Sequence, residues 1–178
     1  MSEELIVRHC APTLAGLKTG SLFLCPIESR SVFLEEIRDL NRFLVPKGLR
    51  ALPLRIHEEK ALIYLYRPSK LENDLSQPSA AEILRSMGYP ENGQLSSLVR
   101  KFRTEEEFPH EIGLFLGYPP EDVQGFLDNR PCKCVGCWKV YGDVDSARKK
   151  FSLYKKCARV YCDRLAKGTD MNRLIVAG

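Results

Sequence analysis

The sequence predicts a mixed α+β fold, with several helices packed around a small sheet of about four strands. Three observations carry this. Apolar residues recur at helical spacing in several stretches, most clearly Phe33, Ile37, Leu40 and Leu44. Two apolar runs of strand length flank a short polar turn near the middle of the chain. Helical and extended patterns then alternate irregularly, which fits a small sheet with helices around it better than a regular βαβ array.

The elements follow in order. Pro12 suits the first turn of a short helix running to about Leu22, where Leu14, Leu17 and Ser21 share a face and Ala15, Gly16 and Gly20 allow close packing. A second helix covers roughly 30–45 and ends at Pro46-Lys47-Gly48. Leu49 to Ile56 and Ala61 to Tyr66 read as a β-hairpin around His57-Glu58-Glu59-Lys60. The second strand is apolar on both faces, as a central strand is, and Pro53 places the first at an edge. Ser79-Ala80-Ala81-Glu82 has the form of a capping box opening a helix that Gly88 closes. Leu95, Leu98, Val99 and Phe102 mark the next helix. Ile112 to Tyr118 reads as a third strand, Pro119 to Leu127 as a helix with Val123, Phe126 and Leu127 inward, and Trp138 to Tyr141 as a fourth strand. A long helix from about Asp145 to Leu165 carries Ala147, Phe151, Tyr154, Ala158, Tyr161 and Leu165 on one face. The terminal MNRLIVAG is either a short strand or a tail.

Composition narrows the class. The 178 residues include 27 basic and 23 acidic side chains, a formal net charge of +4, with 44% hydrophobic and 28% charged residues. This is a globular mix, and a chain of this length buries roughly 70% of its unfolded surface without disulfide staples. No apolar run reaches the ~18 to 20 residues of a membrane span. The opening MSEELIVRHC lacks the pattern of a signal peptide, so a cytoplasmic protein is expected, with the seven cysteines as free thiols or metal ligands. The charge is too small to argue for nucleic acid, and no membrane partner is expected. No repeat or Pro/Gly/Ser-rich linker divides the chain, so one domain over 1–178 is expected.

Three stretches carry a resemblance: His9-Cys10-Ala11-Pro12-Thr13-Leu14, Phe108-Pro109-His110-Glu111-Ile112-Gly113-Leu114-Phe115-Leu116-Gly117-Tyr118-Pro119, and Trp138-Lys139-Val140-Tyr141-Gly142-Asp143. Together they resemble a bacterial domain-of-unknown-function family found mainly in anaerobic Gram-positive bacteria, from His9 to about Cys162. The resemblance implies a single domain in a cytoplasmic bacterial setting. It implies no activity.

Cys10 is the thiol with the most distinctive sequence setting. If it precedes a helix whose first turn holds Pro12, the helix N-terminus would stabilise a thiolate and bind an oxyanion. His110, at the start of the predicted strand 112–118, is the candidate base. Asp143, at the end of the next strand, is the candidate group to orient the imidazole; Glu111 is a weaker choice because neighbouring strand residues point to opposite faces. This order resembles the papain-like scheme in layout, and it would support thiol hydrolysis of amides or thioesters, or acyl transfer. His9, Lys18 and Glu111 are candidate ligand-binding groups near the same site. Against this stands the packing reading, since cysteine is among the most buried residue types.

Cys132, Cys134 and Cys137 form a second candidate, for Zn or Fe. Cys134 and Cys137 have C-x-x-C spacing, and Cys132 could supply a third sulfur. A fourth ligand must come from elsewhere; Cys157 and Cys162 are candidates, but they lie about 140° apart around one helix and cannot both face the metal. A redox thiol loop and incidental cysteines are the competing readings. The basic residues of the last helix, Arg148 to Arg164, fit either a phosphate or nucleic-acid surface or an ordinary solvated face, and no nucleic-acid motif accompanies them. Gly113 and Gly117 do not make a phosphate loop.

Three functions therefore stand open. One is a thiol-dependent hydrolase or acyl transferase using Cys10, His110 and Asp143. A second is a non-catalytic protein that binds a small molecule, peptide or metal ion, which in the family's anaerobic setting could serve iron or redox homeostasis. The third is an interaction protein without a site.

Overall fold

Ser2 starts the first helix. Its side chain accepts a hydrogen bond from the Leu5 N–H, and Glu3 and Glu4 occupy the positive first turn of α1 (Glu3–Leu14). In this computed structural model, which describes residues 1–177, Pro12 therefore sits inside the last turn of a helix. The helix predicted over 12–22 is corrected accordingly. Ile6, Val7, Cys10 and Leu14 form its buried face, and residues beyond Leu14 turn and enter a strand.

The chain divides into two compact units, Met1–Ser69 with the segment from Tyr154 onward, and Lys70–Leu153. In the first unit, β1 (Gly20–Pro26), β2 (Arg50–Ile56) and β3 (Lys60–Tyr66) form an antiparallel sheet of order β1-β3-β2. The hairpin and the central position of its second strand are as expected. Pro53 lies on an edge strand, where it spoils no interior ladder, and the register with β3 shifts between Pro53 and Arg55. Strand β1 has no counterpart in the sequence reading, yet Ser21, Phe23 and Cys25 alternate inward with period two.

Helix α2 (Arg30–Leu44), capped by Ser29, buries Phe33, Ile37 and Leu44. Asn41 pins it to the edge strand: its amide donates to the Ala51 carbonyl and accepts from the Ala51 N–H, both at 2.8 Å. The core beneath the sheet joins Ile6, Cys10, Phe23, Phe33, Ile63 and Leu65. Tyr64 and Tyr66 occupy the opposite face of β3 and stack at 4.7 Å. Arg67, directly after β3, is buried and donates to the carbonyls of Thr13, Leu14 and Val176 at 2.6–2.8 Å. A guanidinium at the negative end of α1 satisfies carbonyls that the helix leaves unpaired. Burial lowers its pKa from the usual value.

In the second unit, α3 (Pro68–Leu75, beginning just before the boundary) leads to α4 (Pro78–Ser86), α5 (Gln94–Thr104), α6 (Ile112–Phe115) and α7 (Pro120–Leu127). The expected capping box is not the cap: Pro78 starts α4, Gln77 takes the cap position, and no side-chain bond forms there. Gly88 does close that helix, with φ at +79°. The predicted strand 112–118 is instead the short helix α6 followed by a turn at Gly117, φ +77°. Ile112, Leu114, Phe115 and Leu116 are all buried, so the segment has the uniform apolar pattern that a central strand would also show. The expected fourth strand shrinks to β5 (Lys139–Val140), which pairs only with β4 (Cys134–Val135). The sheet of about four strands is thus a three-stranded sheet and a separate two-stranded ribbon. Helix α8 (Val144–Ala166) matches the long predicted helix, and Met171–Leu174 forms a last turn, α9. No described helix is long and apolar enough to cross a membrane.

Candidate functional site

Cys10 lies in the C-terminal half of α1, not ahead of a helix, and it is 0% exposed. The N-terminal dipole invoked for its thiolate is therefore absent. Burial pushes the thiol up to about 12; the Lys18 charge and a Ser21 hydrogen bond pull the other way without reversing it. The Thr13 and Ser21 hydroxyls are 2.9 Å apart, giving this part of the core a small polar centre. His9, on the exposed side of α1, stacks on Phe23 with ring centroids 6.0 Å apart.

His110 and Asp143 belong to the second unit, whereas Cys10 belongs to the first. His110 is exposed in the turn before α6, not on a strand, and its ring packs against Phe108 and Phe126 at 5.7 and 4.8 Å. Asp143 precedes α8, and one of its carboxylate oxygens accepts the N–H groups of Asp145 and Ser146 at 3.0 Å each. It serves as the helix cap. The strand positions that the papain-like layout needs for these two residues are absent.

Glu111 is a core group. It accepts from the Tyr89 hydroxyl at 2.9 Å and from the Lys101 ammonium at 2.8 Å. Burial acts to raise its pKa, but the hydrogen bonds from Lys101 and Tyr89, with the Lys101 charge, outweigh burial and hold the carboxyl below its ordinary value. Cys132 and Cys137 are exposed and Cys134 half-buried, around the β4–β5 ribbon. Among the described residues, no group of three or more His, Cys, Asp or Glu side chains is placed to hold a metal ion.

A cavity of about 340 Å³ lies within the second unit. Its polar lining comprises Asp74, Gln77, Tyr118, Glu121, Asp143, Ser146 and Lys150. The volume is at the small end of the ~300–1,000 Å³ usual for small-molecule sites. Two of the motif stretches noted above supply much of this wall: the segment Gly117-Tyr118-Pro119 and the residue Asp143.

The wall is held from behind by Asp122, which sequence reasoning missed. This carboxylate is 3% exposed and accepts three N–H groups, from the Trp138 indole at 2.7 Å, Tyr141 at 2.6 Å and Gly142 at 2.8 Å. Trp138 in turn stacks on Tyr118 at 4.8 Å and meets Phe151 edge-on at 4.5 Å. Glu121 lies over Gly142, where a Cβ would come within 2.5 Å of the glutamate Cγ. A side chain at 142 would displace Glu121 from its present place. The local sequence offered one hint, an acid in the first turn of a proline-started helix, but helix electrostatics alone explain that pattern.

Chemically, the cavity presents three carboxylates and one ammonium beside a fixed tyrosine ring. That arrangement can orient a small polar molecule. No curated protein and no solved structure matches the chain. A family model described as a protein of unknown function, DUF3793, matches residues 6–175. With nearly the whole chain matched, the protein belongs to the DUF3793 family.

Proposed function

We propose that the protein is a non-catalytic binder of a small amine-bearing molecule, held in the cavity of the second unit. The observation that carries this reading is the composition of the wall: Asp74, Glu121 and Asp143 against the single Lys150, with Tyr118 immobilised by Trp138. Glu121 and Asp143 are exposed and Asp74 is half-buried; three carboxylates converging on one hollow attract a cationic group more strongly than any one of them alone. Lys150 would complement an acceptor elsewhere on the same ligand. Asp143 and Glu121 sit on rigid supports, the start of α8 and the first turn of α7, so little ordering would accompany binding.

The thiol-enzyme reading has weaker support. A nucleophilic cysteine needs an accessible thiolate near neutral pH. Cys10 is enclosed, and its thiol is shifted in the opposite direction.

Thermal unfolding in the presence of arginine, spermidine, succinate or inorganic phosphate tests the proposal. Arginine or spermidine should raise the Tm in a saturable way, succinate and phosphate, which carry no amine, should not, and Glu121→Gln should reduce the effect. Equal response to cations and anions, or none to any of the four, would count against an amine site.

A further inference from the structure

Helix α8 holds the chain's charge imbalance. Between Val144 and Ala166 it carries seven cations, Arg148, Lys149, Lys150, Lys155, Lys156, Arg159 and Arg164, against Asp145 and Asp163. Its own balance is +5, so with 27 basic and 23 acidic residues in the chain the remainder stands at −1. All seven except Lys150 are exposed. None of those six forms a salt bridge among the described residues. An ordinary solvated helix usually intersperses both signs, at spacings that let them pair.

Two aliphatic side chains interrupt this cationic surface. Leu153 is 47% exposed and Val160 37%. At about 100° per residue, Lys149, Leu153, Lys156 and Val160 fall within an arc of roughly 60°, away from the buried Phe151 and Tyr154. The stripe runs about three turns, roughly 16 Å. Its steps are four, three and four residues, with the two aliphatics seven apart and Arg159 and Arg164 beside them. This is the spacing of a helix–helix seam with charged flanks.

We propose that this stripe on α8 docks an acidic amphipathic helix of a partner protein. Such a helix would place aliphatic residues at the same seven-residue step against Leu153 and Val160. Its Asp and Glu residues would face Lys149, Lys156 and Arg159. Charge steers the encounter and the aliphatic pair supplies the dehydrated centre. A nucleic acid would neutralise the cations but leave Leu153 and Val160 against phosphates, so the exposed aliphatics favour the helix. The inference is independent of the cavity.

The test is fluorescence anisotropy with the full chain and a labelled helical peptide of about three heptads. The peptide carries leucine once per heptad, at the step that meets Leu153 and Val160, and glutamate at the positions that face Lys149, Lys156 and Arg159, and a duplex RNA serves as the competing probe. The docking reading predicts saturable peptide binding that weakens about tenfold or more between ~50 and ~200 mM salt. Leu153→Ser with Val160→Ser should weaken it at least about tenfold, and Lys149→Glu with Lys156→Glu should abolish it. These side chains are exposed, so unchanged circular dichroism should accompany each loss. Absence of peptide binding would overturn the proposal. So would RNA binding at least as tight as peptide binding and indifferent to the Leu153→Ser/Val160→Ser pair.

Discussion

Alkylation of the native protein with iodoacetamide separates a buried structural thiol from a nucleophile at Cys10. Only the thiolate reacts, so the rate follows ionisation and access. Raising the Cys10 pKa from 9.0 to about 12 lowers the thiolate fraction near neutral pH by about a thousandfold relative to an unperturbed cysteine. Complete enclosure adds the requirement that the core open before reagent can enter. Peptide mapping by mass spectrometry at pH 8 should therefore find Cys132 and Cys137 modified first. Cys10 should lag by about a thousandfold or more and become reactive only in denaturant. His110→Ala should leave this order unchanged. Selective labelling of Cys10, with an apparent pKa below about 8 that depends on His110, would refute the reasoning and restore the thiol-enzyme reading.

Three further outcomes follow from the packing. Asp122→Ala leaves the Trp138, Tyr141 and Gly142 N–H groups without their acceptor, and urea unfolding should show a loss of about 3 kcal/mol or more; a change below ~1 kcal/mol would contradict the pinning role. Glu111 has a folded-state pKa below its unfolded value, so its contribution is fully present above the ordinary carboxyl pKa of 4.5 and is lost as pH falls through the lower folded pKa. The stability gap between wild type and Glu111→Gln should accordingly narrow in acid, and a gap that widens there would reverse the assigned sign. Gly136→Ala would place a Cβ 2.1 Å from the Phe151 ring, which also packs on Trp138, so the ring must move. Overpacking of about 1–3 kcal/mol should lower the Tm by roughly 2–10 °C, and an unchanged Tm would show that the ribbon yields freely.

The elements legible from sequence are those whose periodicity reports burial on one side. Helix α2 shows Phe33, Ile37 and Leu44 on one face, and the β2–β3 hairpin shows two apolar runs about a polar turn. Two elements carried conflicting patterns. Leu14, Leu17 and Ser21 happen to fall at helical spacing, although a turn separates the first from β1, and this masked the alternation of Ser21, Phe23 and Cys25. Residues 112–116 are all buried, so this part of the predicted strand 112–118 has no polar face to reveal its period. The α1 misplacement carried into the site, because it set Cys10 at the wrong end of a helix. Asp143 reads in the sequence as a functional residue, and in the structure it caps α8 and lines the cavity. Arg67, Glu111 and Asp122 derive their roles from partners 54, 10 and 16 positions away. Local patterns do not encode such pairings; they exist only once the chain has packed.

The most direct measurement of the cavity proposal is the emission of Trp138, the only tryptophan in the chain, during titration with arginine or spermidine. Its ring stacks on Tyr118, which lines the cavity, so a bound ligand should alter its surroundings. Asp143→Asn keeps a helix-capping side chain while removing charge, and Glu121→Gln removes charge at similar size. The account predicts a saturable emission change in the wild type, weakened in each variant and nearly absent in the double variant, with unchanged circular dichroism. An emission change that persists undiminished in the double variant, or no saturable change with either amine, would contradict it.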